Sequence, residues 1–190
     1  LELCVIAEEL GRSLAPTPFS SSIYLFAEFL KLFGNEDQKK TYLPKIASGE
    51  MIGTFALSEG KGSPKPHNIN STFTDGKLNG QKLPVNDGQV ADFIVVAANT
   101  DSNKNNNSLS LVIVKSNQDG VKSESLETID PSRPSSKIVL DNADAELLGN
   151  SGEGWEMIQK IFDRAAVLFA FEQVGGCLLY TSDAADERLR

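Results

Sequence analysis

The sequence predicts an α+β fold in which a central β-domain lies between two partial helical regions. Three observations support this prediction: apolar residues recur at helical spacing over 1–49, β-branched runs follow between 51 and 145, and helical spacing returns after residue 154. Short polar turns join the strand candidates, which favours an antiparallel barrel or sandwich. We predict domain limits of 1–50, 51–148 and 149–176.

The first helical region contains two apolar stretches. One comprises Leu3, Ile6, Ala7 and Leu10, and the other comprises Ile23, Phe26, Leu30 and Phe33. Gly11 and Gly34 are predicted to end the two helices, and Asn35 is predicted to cap the next one. Pro44 is expected to divide that third helix, because proline cannot continue the hydrogen-bond ladder.

The central region contains five strand candidates, at 51–57, 93–97, 109–114, 121–129 and 137–140. Asp75-Gly76 predicts a tight hairpin, and Asn79-Gly80 predicts a further turn. The polar stretch 100–108 offers no core-forming side chain and is predicted to be a loop.

The last region predicts one helix, whose apolar face comprises Trp155, Ile158, Ile161, Phe162, Ala165, Leu168 and Phe169. We expect this helix to end near Gly175-Gly176. The segment 177–190 resembles the translation of a transposon-end sequencing adapter, and we exclude it from the fold as non-native. The alternative is a genuine helix with a charged end.

Composition narrows the functional classes. The net charge of −8 over 190 residues disfavours a nucleic-acid-binding surface. We expect no membrane span, because no apolar run has the required length, and no signal peptide at the start. The chain opens inside a helical pattern, so we expect its true start to lie earlier. Cys4 and Cys177 suggest neither a metal site nor a disulfide framework, which favours a reducing cytoplasm.

Short motifs at the joints between these regions carry a family resemblance. They are Glu8-Glu9-Leu10-Gly11, Gln38 through Leu43-Pro44 to Ala47-Ser48-Gly49-Glu50, Phe55-Ala56-Leu57-Ser58-Glu59, Asn79-Gly80-Gln81-Lys82, Ala91-Asp92, Leu147-Leu148-Gly149 and Glu172-Gln173-Val174-Gly175-Gly176. In this order and spacing, over about residues 1–176, they resemble the acyl-CoA dehydrogenases. Asp130-Pro-Ser-Arg133 and the spacing Lys82…Val85…Gly88 resemble a divergent branch. Its members often act on bulky acyl-CoA esters, including steroid side chains, and some pair as two different subunits.

The resemblance implies a flavoenzyme that uses FAD to dehydrogenate an acyl-CoA thioester between its α and β carbons and passes electrons to an electron-transfer flavoprotein. It implies a homo- or hetero-oligomer when the protein is full length. The catalytic glutamate of the family is expected beyond residue 176, so we expect the isolated chain to be inactive. Two alternatives stay open: a non-catalytic partner subunit of a heteromeric dehydrogenase, and an acyl-CoA oxidase.

The same resemblance implies the flavin-binding positions. Phe55 and Leu57 would line the flavin, and backbone groups near Leu57 with the Ser58 hydroxyl would bond the edge of its ring. Pro84 stands where many members have tryptophan, and Asn86 could donate to a flavin carbonyl. The alternatives are a buried strand ending in a turn for 55–59, and an ordinary turn for Asn86-Asp87-Gly88.

The implied acyl-CoA positions are Ser63, Asp163 and Arg164. Ser63 lies in the stretch 60–66, where Pro64 replaces an acidic residue of the family and proline removes amide donors. This departure puts the acyl-CoA contact in question more than the flavin contact. For Asp163 and Arg164 the alternative is an exposed pair on a helix. Trp155 is predicted to be a core residue, and His67 lacks the partners of a catalytic base.

Overall fold

The computed structural model describes residues 1–100, 108–130 and 132–187, with side chains up to residue 182. The helices are α1 (Glu2–Arg12), a π-helix (Ser20–Ala27), α2 (Glu28–Phe33), α3 (Glu36–Ala47), a short 3₁₀-helix (Pro66–Asn68) and α4 (Gly154–Glu187). The strands are β1 (Gly53–Ala56), β2 (Thr72–Thr74), β3 (Lys77–Asn86), β4 (Phe93–Asn99), β5 (Leu109–Lys115), β6 (Val121–Leu126) and β7 (Ser135–Leu148). Most of the predicted loop 100–108 lies outside the described residues.

The seven strands form one barrel-like sheet, in the order β1-β4-β2-β3-β7-β5. β5 also pairs with β4, which closes the sheet, and β6 pairs with β7. This confirms the predicted α+β fold with a central barrel. The sheet is not wholly antiparallel, because β1 and β2 each run parallel to β4. The chain reverses direction at the β2–β3 hairpin and again in the turn after β3. β4 therefore runs in the same direction as β1 and β2.

Successive side chains of the strands point to two different cores, as the two-residue period of a strand requires. Ala56, Ile94 and Val96 belong to the cluster inside the barrel. Phe55 and Val95 belong to the cluster between the barrel and the helices. The helices therefore cover one outer side of the barrel, and the β1 strand contributes to both cores.

The two predicted turn dipeptides have different outcomes. Asp75 and Gly76 connect β2 to β3 with φ values of 50° and 77°, so the predicted tight hairpin is confirmed. The turn predicted at Asn79-Gly80 is wrong, because both residues lie within β3 at a shift in its register with β7. Gly80 has a φ of 139°, and a Cβ there would lie 2.8 Å from the Ser71 Cα.

Two predicted helix boundaries, at Gly34 and Asn35, are confirmed, and the boundary predicted at Pro44 is wrong. Asn35 caps α3 in a reciprocal arrangement: its side chain accepts from the Gln38 N–H at 2.8 Å, and the Gln38 side chain accepts from the Asn35 N–H at 3.1 Å. Gly34 ends α2 as predicted. Pro44 does not divide α3; it lies near the C-terminal end of that helix, where few backbone bonds follow it.

The helix ends predicted at Gly11 and Gly175 are wrong. At both glycines two helices pack closely instead. Both lie inside their helices, and α4 continues through Gly175 to Glu187. A Cβ on Gly11 would overlap the backbone carbonyl of Glu172, and a Cβ on Gly175 would overlap the backbone carbonyl of Glu8. The glycines therefore allow α1 and α4 to approach backbone to backbone. The foreign origin of 177–190 stays a prediction, and 188–190 lie outside the described residues.

One helix of the described chain, Gly154–Ser182, has the length and composition of a membrane span. The expectation of no span rests on the length of unbroken apolar runs, whereas this helix qualifies by its mean hydropathy, because Glu172 is the one charged residue between 165 and 182. Most of this helix is exposed. Its buried residues Ile158, Ile161 and Ala165 nevertheless pack against the rest of the chain, and Glu172 pairs with Arg133 at 3.0 Å. These are the contacts of a helix docked on its own protein.

We predict that Gly175→Ala destabilises the chain by about 1–3 kcal/mol, because the added methyl group must push α4 away from the α1 backbone. Gly176→Ala is the matched control. A Cβ there would meet its nearest neighbouring atom at 3.7 Å, an ordinary contact, and alanine favours a helix interior over glycine. Urea unfolding of both variants measures the difference. Equal stability of the two variants would contradict the close packing.

Candidate functional site

The segment that follows β1 runs beside the last residues of β3. The Ser58 carbonyl accepts from the Leu83 N–H at 2.9 Å, and the Leu83 carbonyl accepts from the Gly60 N–H at 2.9 Å. At the other end, the Thr54 hydroxyl donates to the Asn86 carbonyl at 2.6 Å. The structure thus brings the predicted flavin positions 55–58 and 86 onto adjacent segments of one edge.

The side chains of Phe55 and Leu57 are core residues. Their exposed fractions are 9% and 7%. The Phe55 ring centroid lies 4.8 Å from that of Phe29 and 6.0 Å from that of Phe162, so this ring packs between the barrel and two helices. What these two positions offer a ligand is mainly their backbone. Their cofactor role stays a prediction.

Ser58 and Asn86 retain hydrogen-bonding capacity. Within the described part of the chain, the Ser58 hydroxyl has no hydrogen-bond partner, and Ser58 is partly exposed. Asn86 is exposed; its Oδ1 accepts from the Ser135 hydroxyl at 3.0 Å, which leaves its amide N–H groups available. The next residue, Asp87, has a φ of 56° and its carbonyl accepts from two following N–H groups. Asn86 therefore begins a turn and still presents a donor.

The predicted acyl-CoA positions lie in exposed places. Ser63 belongs to a loop between Gly60, bonded to Leu83, and the buried Pro66, and its carbonyl accepts from the Asn68 amide at 3.1 Å. Asp163 and Arg164 are exposed on α4. Their exposure agrees with the alternative of an exposed pair on a helix, and the Arg164 Nε donates to the Glu28 carboxylate at 2.7 Å. Binding of acyl-CoA by these residues stays a prediction.

A buried ion pair between Lys82 and Glu59 supports this edge, and the sequence motifs did not indicate it. The Lys82 side chain is fully buried, and its Nζ donates to the Glu59 Oε1 at 2.8 Å and to the Leu57 carbonyl at 3.1 Å. Glu59 also accepts from the Asn70 N–H at 2.7 Å and from the Ser71 N–H at 2.9 Å. One carboxylate and one ammonium thus connect the end of β1, β3 and the segment before β2.

The ionisation of this pair follows from its surroundings. Burial by itself raises the pKa of Glu59, but the charge and hydrogen bond of Lys82 and the hydrogen bonds of Ser71 outweigh it and lower that pKa to about 2. Burial lowers the pKa of Lys82 to about 8, although Glu59 opposes this change. Both groups are charged near neutral pH, and Glu59 is a poor proton acceptor.

The sequence contains a signal for this pair. Leu78 and Lys82 occupy buried positions of the same strand, so a lysine takes a position that faces the inside of the sheet. A charge at such a position requires a partner. The family motif that ends in Ser58-Glu59 supplies it, but only the pairing of the segments shows which acid is close enough.

A second polar cluster lies where the π-helix, the barrel and α4 meet. Arg133 donates to the Ser20 hydroxyl at 2.7 Å and to the Glu172 carboxylate at 3.0 Å. The Ser21 hydroxyl donates to the buried Asp87 carboxylate at 2.6 Å. Burial raises the pKa of Asp87, against the opposing effects of Ser21 and Arg133. These bonds join three parts of the fold through charged side chains.

Comparisons with known proteins agree with this architecture. The profile of the acyl-CoA dehydrogenase N-terminal domain matches residues 1–50. An acyl-CoA dehydrogenase of Bacillus subtilis is 30% identical over 171 residues, covering 83% of this chain and 45% of the relative. A short-chain-specific acyl-CoA dehydrogenase of Clostridium acetobutylicum is 27% identical, covering 92% of this chain and 49% of the relative.

Solved structures share the fold. Butyryl-CoA dehydrogenase of Megasphaera elsdenii superimposes with a TM-score of 0.89 at 22% identity, over 96% of this chain and 51% of that one. A chain from a study of the electron transferring flavoprotein of Acidaminococcus fermentans gives 0.84 at 26% identity, over 90% and 48%. An FAD complex of PigA gives 0.87 at 19% identity, over 97% and 51%.

A barrel-like β-domain between helical regions, with a polar edge at the end of β1, defines the class as an acyl-CoA dehydrogenase-like α+β protein. The chain belongs to the acyl-CoA dehydrogenase family. It spans about half the length of the curated relatives it matches.

We predict that acid weakens the chain through Glu59. Its folded-state pKa of about 2 lies below the ordinary 4.5, so its stabilising effect is present above 4.5 and is lost as pH falls through 2. The double variant Glu59→Gln/Lys82→Met lacks this titration and should lose less stability between those pH values. The melting temperature measured against pH tests this.

The control for this pH series is the exposed pair of Lys77 and Asp144, whose side chains are 41% and 77% exposed. Lys77→Met/Asp144→Asn should retain the acid sensitivity of the original chain, since exposed ion pairs contribute little to the free energy of unfolding. Equal losses of stability on acidification in the Glu59/Lys82 variant and the original chain would show that Glu59 is not the source of the acid sensitivity.

We also predict that Arg133→Met lowers the free energy of unfolding by about 1–3 kcal/mol, because it leaves the largely buried Glu172 carboxylate without its cation. Arg164→Met should cost less than about 1 kcal/mol, since Arg164 is half exposed. Its partner Glu28 also keeps a second cation, Lys31, at 3.0 Å. Chemical denaturation compares the two, and an equal loss would contradict a special contribution from Arg133.

Proposed function

We propose that this chain is part of an FAD-dependent acyl-CoA dehydrogenase, which oxidises an acyl-CoA thioester between its α and β carbons. The observation that carries the proposal is the edge formed by β1 and β3, where Ser58 and Asn86 present unused hydrogen-bonding groups beside a supported backbone. Family membership and the acyl-CoA dehydrogenases among the relatives support the same activity.

The residues of this edge fit one side of a flavin ring. The Ser58 hydroxyl, the Asn86 amide and backbone groups near Leu57 would hold the polar edge of the ring. When bound, FAD supplies the hydride acceptor of the reaction. Donors to the ring favour its reduced, electron-rich form, and preformed donors need no rearrangement when charge develops. Pro84 offers no indole face, so hydrogen bonds would carry most of the contact.

The Glu59 carboxylate at this edge is unsuited to act as the catalytic base. Glu59 accepts hydrogen bonds from Lys82, Asn70 and Ser71, and its pKa of about 2 makes it a weak base. As the family resemblance implies, the base is expected beyond residue 176 of the full-length protein. The isolated chain should bind ligands at best and not turn them over.

We also propose an electron acceptor, an assembly, a location and acyl-CoA contacts for the full-length protein. An electron-transfer flavoprotein is the proposed electron acceptor, a homo- or hetero-oligomer the proposed assembly, and the cytoplasm the proposed location. Acyl-CoA would contact Ser63, Asp163 and Arg164. The study of an electron transferring flavoprotein among the similar structures supports the acceptor.

A second candidate is a non-catalytic partner subunit of a heteromeric dehydrogenase. The observations that favour it are the exposed Pro84 at the flavin edge and the altered loop at 60–66, in which Lys61, Gly62 and Ser63 are exposed. Such a subunit would keep the fold and its polar joints while binding FAD weakly.

Expression of the full-length gene and purification of its product allow these two candidates to be distinguished. We predict that the purified full-length protein is yellow, shows flavin absorbance and reduces an electron-accepting dye when acyl-CoA is added. The variant Ser58→Ala/Asn86→Ala should lose FAD, and the control Ser125→Ala, at an exposed position of β6, should keep it. A colourless protein that copurifies with a second dehydrogenase subunit would support the partner subunit and contradict the enzyme.

A further inference from the structure

Lys82 contacts the flavin-facing edge in a second way besides its ion pair. Its buried Nζ donates to the carbonyl oxygen of Leu57 at 3.1 Å, in addition to the Glu59 carboxylate. That carbonyl belongs to the peptide group joining Leu57 to Ser58. The bond supplies the buried ammonium with a second acceptor and, at the same time, holds this peptide group in place.

The geometry of the peptide group gives this bond a consequence. In a planar trans peptide the C=O and N–H groups point in opposite directions. Because Lys82 holds the Leu57 carbonyl, the Ser58 N–H must point away from the Lys82 ammonium. The next carbonyl, that of Ser58, is held by the Leu83 N–H at 2.9 Å. Both peptide groups that flank Ser58 are therefore fixed.

The Glu59 side chain, which holds the Lys82 ammonium, is fixed as well. Glu59 accepts from the Asn70 and Ser71 N–H groups and from the Ser71 hydroxyl, the last at 2.7 Å. The carboxylate cannot rotate without breaking several hydrogen bonds, so the ammonium that it holds has one position. Lys82 thus connects a rigid anchor to a single backbone carbonyl.

We propose that Lys82 is a positioning residue, which orients the Leu57–Ser58 peptide so that the N–H and hydroxyl of Ser58 form a preset pair of donors for the flavin. This inference rests on the proposed function. It assigns Lys82 an orienting contribution that its ion pair alone does not require. A preset donor pair binds a ligand edge without the entropic cost of ordering the turn.

The test begins without flavin, so that it is independent of FAD binding. NMR spectra of the isotope-labelled 190-residue chain are compared with those of Glu59→Gln/Lys82→Met, which removes both charges and leaves none unpaired. We expect the Leu57 carbonyl carbon to shift upfield as its hydrogen bond is lost, and the Ser58 amide signal to move. Lys77→Met/Asp144→Asn is the control and should leave both signals in place.

A pH titration of the unsubstituted chain covers the case in which the double variant does not fold. The Leu57 carbonyl and Ser58 amide signals should move together with the Lys82 side-chain signal, with its pKa of about 8, because a neutral amine is a weaker donor than an ammonium. Unchanged Leu57 and Ser58 signals, in a folded double variant or through the Lys82 titration, overturn the proposal.

The full-length protein provides the functional readout. If it binds FAD, the double variant should show a changed flavin absorption spectrum and a more negative midpoint potential than the control variant. An unchanged potential and spectrum in a folded, FAD-loaded double variant also overturn the proposal. Failure of the unsubstituted protein to bind FAD would count against the proposed function alone, because the NMR comparison still decides the orientation of the peptide.

Discussion

The buried contact between Lys82 and Glu59 is the interaction on which the middle of this protein depends. It joins three separate segments, at Leu57–Glu59, Asn70–Ser71 and Lys82, through one pair of charges. Removing one partner of a buried ion pair typically costs about 3–5 kcal/mol, because the other charge is left without compensation. The cost of burying two charges is offset by hydrogen bonds to the backbone of the same segments.

The backbone bonds of the pair explain why a fold would retain such a costly arrangement. Well-packed apolar residues can replace a buried ion pair without loss of stability, so stability alone is weak evidence for its purpose. An apolar side chain could fill the space of Lys82, but it could not donate to the Leu57 carbonyl. The pair lies directly behind the edge where Ser58 presents its hydroxyl, so structural support and the candidate site coincide.

Two kinds of contact besides the apolar core determine where the helices lie. Gly11 and Gly175 allow backbone approach of α1 and α4, which a single methyl group would prevent. Arg133 then joins the π-helix to α4 through Ser20 and Glu172. The three buried serines at the start of the π-helix take part in similar bonds: Ser22, for example, donates to the Gly53 carbonyl at 3.1 Å. Small and polar side chains, rather than the apolar core alone, therefore define where the helices lie.

Local patterns were sufficient to predict the class of fold, the hairpin at Asp75-Gly76 and the cap at Asn35, because each depends on a few neighbouring residues and a short period. The family resemblance likewise rests on short motifs. The structural role of Gly11, Gly80 and Gly175 could not be predicted this way. A glycine that ends a helix or forms a turn cannot be told apart, in a sequence, from one that admits a neighbouring backbone. Only the tertiary structure reveals the Lys82–Glu59 pair. It depends on which segments, here 23 residues apart, the closed sheet places side by side.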